Sequence, residues 1–87
     1  MQVCVLYHQD GEYSRLTEEF VAELANHTDK KISLLNVDGQ EGRRKAELYD
    51  IVDYPATLVI ADDGSLHNYW QGSTLPTISD VVSWLNV

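Results

Sequence analysis

The chain offers one soft nucleophile, Cys4, and a lone thiol can neither close an intramolecular disulfide nor build a multi-cysteine zinc site. Cys4 sits in residues 2–8 (QVCVLYH), a run that is apolar at nearly every position, where free cysteine behaves as a small buried hydrophobe. Nothing nearby in sequence pulls its pKa down toward a reactive thiolate. His8, His27 and His67 share no helical face and no metal-ligand spacing, so they read as scattered surface or turn residues, and no metal is expected. Gly11-Glu12-Tyr13-Ser14 stands at the start of the first helix, where free backbone N–H groups and the positive end of the dipole make a generic anion site. Glu12 and Asp10 oppose anion capture there, and the simpler reading is a capped helix start. No Ser–His–Asp arrangement, phosphate loop or paired-carboxylate signature occurs, and the carboxylates are too evenly spread to single any out.

The elements that position these residues follow from periodicity and punctuation. Residues 2–8 have the continuous apolar, β-branched character of a strand covered on both faces. Asp10-Gly11 breaks it. Over residues 12–27, Tyr13, Leu16, Phe20, Val21 and Leu24 recur at helical spacing, with Asp10 or Ser14 available as a cap. Residues 32–37 (ISLLNV) read as a second buried strand. Residues 38–42 form a loop and 43–50 (RRKAELYD) a short helix, with Ala46, Tyr49 and Leu48 on its buried side. Val52-Asp53-Tyr54-Pro55 cannot continue that helix, because proline disfavours the α conformation before it. Residues 56–61 (ATLVIA) are a third strand, Asp62-Asp63-Gly64-Ser65 a hairpin turn, and residues 66–71 (LHNYWQ) an antiparallel fourth strand. Thr74 is placed to cap a last helix with Pro76 in its first turn. In it Ile78, Val81, Val82 and Leu85 form a full apolar stripe, with Trp84 at the stripe's edge. Tyr69 and Trp70 read as core or half-buried packing.

Length and charge bound the rest. Eighty-seven residues suit one domain, residues 1–87, and a 44% apolar, 23% charged composition is that of a globular protein. The formal charge of −8 repels phosphate backbones and anionic membranes, which argues against nucleic acid or a membrane as partner. Arg43-Arg44-Lys45 holds half of the positive charge and reads as a solvated helix surface, with an anion or acidic-partner patch as the alternative. No apolar run approaches bilayer-crossing length and the first residues lack a basic signal region, so the expected location is cytoplasmic.

The order β-α-β-α-β-β-α predicts an α/β fold, a four-stranded mixed sheet covered by helices on both faces. Leu35-Asn36-Val37-Asp38 is similar to a core strand running into an acidic residue. Tyr49-Asp50-Ile51-Val52-Asp53-Tyr54-Pro55 is similar to a helix end and the loop before a cis-proline, and Asp63-Gly64 and Gly72 match a hairpin and a closing loop. Taken in order, these motifs resemble the thioredoxin–glutaredoxin superfamily over essentially the whole chain, in its smaller, glutaredoxin-sized form.

The resemblance implies a Cys-x-x-Cys site at the start of the first helix. Gly11-Glu12-Tyr13-Ser14 stands there instead, with glycine in the nucleophile's place and serine in the resolving place. Val5 stands where thioredoxins carry a buried aspartate. Thiol–disulfide exchange needs an attacking thiolate, so dithiol oxidoreductase activity is not expected. The resemblance further implies a cis Tyr54–Pro55 bond whose preceding backbone pairs with an extended peptide. The expected function is a non-catalytic protein- or peptide-binding adaptor, with a groove of Tyr13, Tyr54, Pro55, Gly72 and Ser73 and no cofactor. One alternative is a glutathione-binding or glutathione-transferase-like enzyme using Ser14 or Tyr13. Another is a structural or oligomerisation domain, for which Trp84 or the strand edge would supply the contact.

Overall fold

Residues 1–86 are described by a computed structural model, and its first strand explains the architecture. β1 (Gln2–Tyr7) is buried from Val3 to Tyr7 because its alternating side chains feed two separate cores. Cys4 and Leu6 join Val37, Ala46, Ile51, Ala56, Leu58 and Ile60 on one face. Val3 and Val5 join Leu24, Val59, Val81 and Leu85 on the other. The elements that follow are α1 (Ser14–Ala25), β2 (Lys31–Asn36), α2 (Gln40–Leu48), β3 (Ala56–Ile60), β4 (Leu66–Gln71) and α3 (Ile78–Leu85). The sheet order is β2-β1-β3-β4. β1 runs parallel to β2, with Val5 opposite Leu34, and antiparallel to β3, with Leu6 opposite Ala56. β3 and β4 form the antiparallel hairpin, with Gly64 at φ 90° in its turn. α2 covers the Cys4 face, while α1 and α3 cover the Val5 face. The expected α/β architecture is the one observed.

Several local expectations are corrected. β2 is an edge strand and only half-buried, because the order puts β1 and β3 at the centre and leaves one side of β2 open. Neither Asp10 nor Ser14 caps α1. Its N-cap is Tyr13, which makes no side-chain cap bond. α2 begins at Gln40 rather than residue 43, so the preceding loop is shorter than predicted, and Leu48 faces solvent instead of the core. α3 starts later than predicted. Thr77, not Thr74, caps it by accepting from the Asp80 N–H at 3.1 Å, and Pro76 lies outside the helix. Trp84 is 37% exposed, in keeping with its place at the stripe's edge. No helix among the described residues is long and apolar enough to cross a membrane.

Candidate functional site

Sheet order decides where a crevice can open. β1 connects to β2 on one side and pairs with β3 on the other, so its carboxyl end is the point where connections diverge and ligands of open α/β sheets bind. Three segments meet there. Tyr7 and His8 leave β1, Gly11-Glu12-Tyr13 leads into α1, and Tyr54–Pro55 leads into β3. Together these seven residues line a cavity of about 280 Å³. The Tyr54–Pro55 peptide bond is cis, as the resemblance implied.

Local contacts hold each wall in place. The Gly11 N–H donates to the His8 carbonyl at 2.9 Å, closing a tight turn. A Cβ at Gly11 would stand 3.1 Å from both the His8 Cβ and its carbonyl oxygen, closer than side chains ordinarily pack. The Tyr7 hydroxyl donates to Glu18 on α1 at 2.9 Å. On the opposite wall, the Tyr54 hydroxyl donates to the Ile51 carbonyl at 2.9 Å. The Gln71 Oε1 at the end of β4 accepts from the Val52 and Asp53 N–H groups at 3.3 and 3.2 Å. Gly72 donates its N–H to the Pro55 carbonyl at 3.1 Å. The end of β4 thus braces the cis-proline loop. The Tyr54 N–H and C=O themselves take no hydrogen bond among the described residues.

His8 links the two walls. Its ring meets the Tyr54 ring edge-on, with centroids 5.1 Å apart and planes at 78°, and its Nδ1 lies 3.2 Å from Asp38 Oδ2. Burial raises the pKa of Tyr7, as does its bond to Glu18, and burial raises that of Tyr54. Both phenols therefore stay protonated at neutral pH, already committed as donors, and present their rings rather than a nucleophile. Cys4 lies in the α2-side core, 2% exposed, and desolvation pushes its thiol up to about 11. A thiol so placed supplies almost no thiolate near pH 7.

Of the expected residues, the structure brings Gly11, Glu12, Tyr13, Tyr54 and Pro55 into one cavity. Ser14 opens α1 and does not line it, nor do Gly72 and Ser73, of which Gly72 is joined to Pro55 through its N–H bond. Tyr7, His8 and Gln71 are functional candidates that the sequence reading missed. By spacing alone His8 is a scattered histidine, yet it follows directly on a strand that ends at the crevice. That adjacency was the available signal. No cluster of three or more His, Cys, Asp or Glu placed to hold a metal occurs among the described residues.

A mixed four-stranded sheet with helices on both faces, and a cis-proline loop facing the start of the first helix, is a thioredoxin-like fold. Solved structures bear out that class. The chain is similar to thioredoxin 1 from Thermosipho africanus, at 12% identity and a TM-score of 0.73, over 99% of this chain and 91% of that one. It is similar to the reduced thioredoxin pre-protein of Schistosoma mansoni, at 19% identity and a TM-score of 0.76, over 98% of this chain and 75% of that one. It also matches a chain in the complex of ferredoxin:thioredoxin reductase with thioredoxin f2, at 16% identity and a TM-score of 0.70, over 98% and 74%. No protein-family model matches the sequence. No curated protein matches it at a significant level. With a single cysteine, the chain carries no Cys-x-x-Cys.

Proposed function

We propose that the chain is a non-catalytic thioredoxin-like binding module, an adaptor without dithiol redox activity that holds an extended stretch of a partner polypeptide beside Pro55. One observation carries this reading: the crevice has a formed wall of rings and a free backbone edge at Tyr54, and no sulfur faces it. An extended peptide lying there would pair with the Tyr54 N–H and C=O as an added strand and rest its side chains on Tyr13, Tyr54 and Pro55, with Gly72 and Ser73 next to Pro55 through the Gly72 bond. The tight turn at Gly11 supports the same view, since a nucleophile's Cβ at that position would press on His8. The match to a complex of a thioredoxin with its reductase shows this fold engaging protein in that relative.

Titration of the ¹⁵N-labelled chain with an extended-peptide library tests the assignment. Shifts are expected at Tyr13, Tyr54, Gly72 and Ser73. Shifts confined to residues 62–65, at the other end of the sheet, would defeat it. Insulin reduction should run at the uncatalysed rate.

A further inference from the structure

The crevice does not end at Tyr54. Beyond the His8–Tyr54 ring pair it continues into a second cavity of about 370 Å³, between α2 and the loop that follows it. His8 and Tyr54 line both cavities, so the two are compartments of one trough divided by an aromatic ridge. Their walls differ in chemistry. Tyrosine rings and Pro55 dominate the first, with Glu12 as its only carboxylate. The second carries Asp38, Glu47 and Asp50 against one guanidinium, Arg43.

Asp38 is engaged with His8, whereas Glu12, Glu47 and Asp50 form no ion pair among the described residues. α2 reinforces the sign, because its C-cap is Tyr49 and the negative end of its dipole falls between Glu47 and Asp50. Asp50 sits at φ 56° just past the helix end, a left-handed conformation that aspartate enters more readily than most residues other than glycine. Acidic side chains therefore stand beside this cavity where the helix dipole disfavours them.

Resting on the binding reading above, we infer that the occupant of the trough is an extended basic segment of a partner protein. It places an apolar side chain in the tyrosine-lined cavity and a Lys or Arg, two residues along, in the carboxylate-lined one. Same-side residues of an extended chain are spaced by about 7 Å, a step that carries the segment across one aromatic ridge. Charge complementarity selects this occupant. An acidic segment meets one guanidinium against the carboxylates of both compartments, and the formal charge of −8 extends the attraction for basic chains beyond the trough.

Three extended peptides test this, alike except for Lys, Gln or Glu two places from a central leucine, each titrated into the ¹⁵N-labelled chain at low and physiological salt. The Lys peptide should bind about five-fold tighter than the Gln peptide, with the Glu peptide weakest and the preference shrinking as salt rises. The paired substitutions Glu47→Gln and Asp50→Asn, both at exposed positions, should cut that preference to about two-fold with the spectrum otherwise dispersed as before. Equal affinities with shifts at Tyr54, or a tighter Glu peptide, overturn the basic-segment inference and leave the groove standing. A preference untouched by the paired substitutions overturns the placement of the basic residue. No shift at Tyr54 with any peptide removes the groove reading and this inference together.

Discussion

The placement of sulfur is open to a kinetic measurement. Cys4 is 2% exposed on β1, flanked by β2 and β3 and covered by α2. An aromatic disulfide reagent such as DTNB has two routes to it. Attack on the closed fold needs a thiolate, and raising the pKa from 9.0 to about 11 lowers the thiolate fraction at any pH below both values by about 100-fold. Steric exclusion of the reagent lowers that route further. The other route is opening of the sheet, which restores an ordinary thiol but costs nearly the global unfolding free energy for a central strand. Even at about 5 kcal/mol, the low end for such folds, the open fraction is about 2 × 10⁻⁴. Labelling of the native chain should therefore run about 10³- to 10⁴-fold slower than labelling in denaturant, followed by absorbance of the released thiolate. Native labelling within ten-fold of the unfolded rate, with circular dichroism unchanged, would place the thiol at the surface and refute the account of the site.

Three further outcomes probe the fold that holds the site. The folded-state pKa of Cys4 lies above its unfolded value, so the neutral thiol's contribution is full below pH 9.0 and is lost as pH rises toward about 11. Urea unfolding in alkaline steps should show a loss of about 3 kcal/mol over that window, absent in Cys4→Val, with Tyr7 and Tyr54 extending the decline above pH 10.0. Gly42→Ala should lower Tm by about 5–10 °C in calorimetry. Helix propensity favours alanine by about 1 kcal/mol, but overpacking costs about 1–3 kcal/mol. Here the new Cβ would stand 2.6 Å from the Asn36 carbonyl carbon and 3.0 Å from the Val37 Cα, backbone atoms that cannot rotate away. A raised Tm would mean that α2 shifts freely over β2. Thr57→Val should raise stability by about 1 kcal/mol, because the Thr57 Oγ1 is buried without a hydrogen-bond partner among the described residues. A loss there would reveal a partner for that hydroxyl.

Element order and type were legible because each element carries its own period and stop signal. β4 spans residues 66–71 as read, bounded by the hairpin turn and Gly72. Boundaries failed where a competing signal was nearer in sequence than in space. Thr74 precedes Pro76 in an apparent helix opening, yet Thr77 is the residue whose hydroxyl reaches an unpaired N–H. Leu48 looked like core because it is apolar, but α2 lays Ala46 and Gly42 against the sheet, and Leu48 falls on the solvent side. Burial of β2 was overestimated for a different reason: a single strand's composition does not say whether it will lie at an edge. The site was half legible. Gly11, Tyr13, Tyr54 and Pro55 came from the resemblance, whereas His8 and Gln71 act through partners more than ten residues away, Asp38 for one and the Val52 and Asp53 N–H groups for the other.

That division bears on what holds the crevice in place. The crevice exists because connections diverge at the carboxyl end of β1, and the cis-proline loop is braced there by Gln71 and the Gly72 bond, neither of which involves sulfur. The turn at Gly11, closed on the His8 carbonyl, is likewise built without sulfur. What the walls offer is shape, ring surface, a backbone edge unpaired among the described residues, and a lopsided charge. On the binding function proposed above, each of these features discriminates between bound chains, so peptide selectivity, with insulin reduction as the control, is the measurement that decides it.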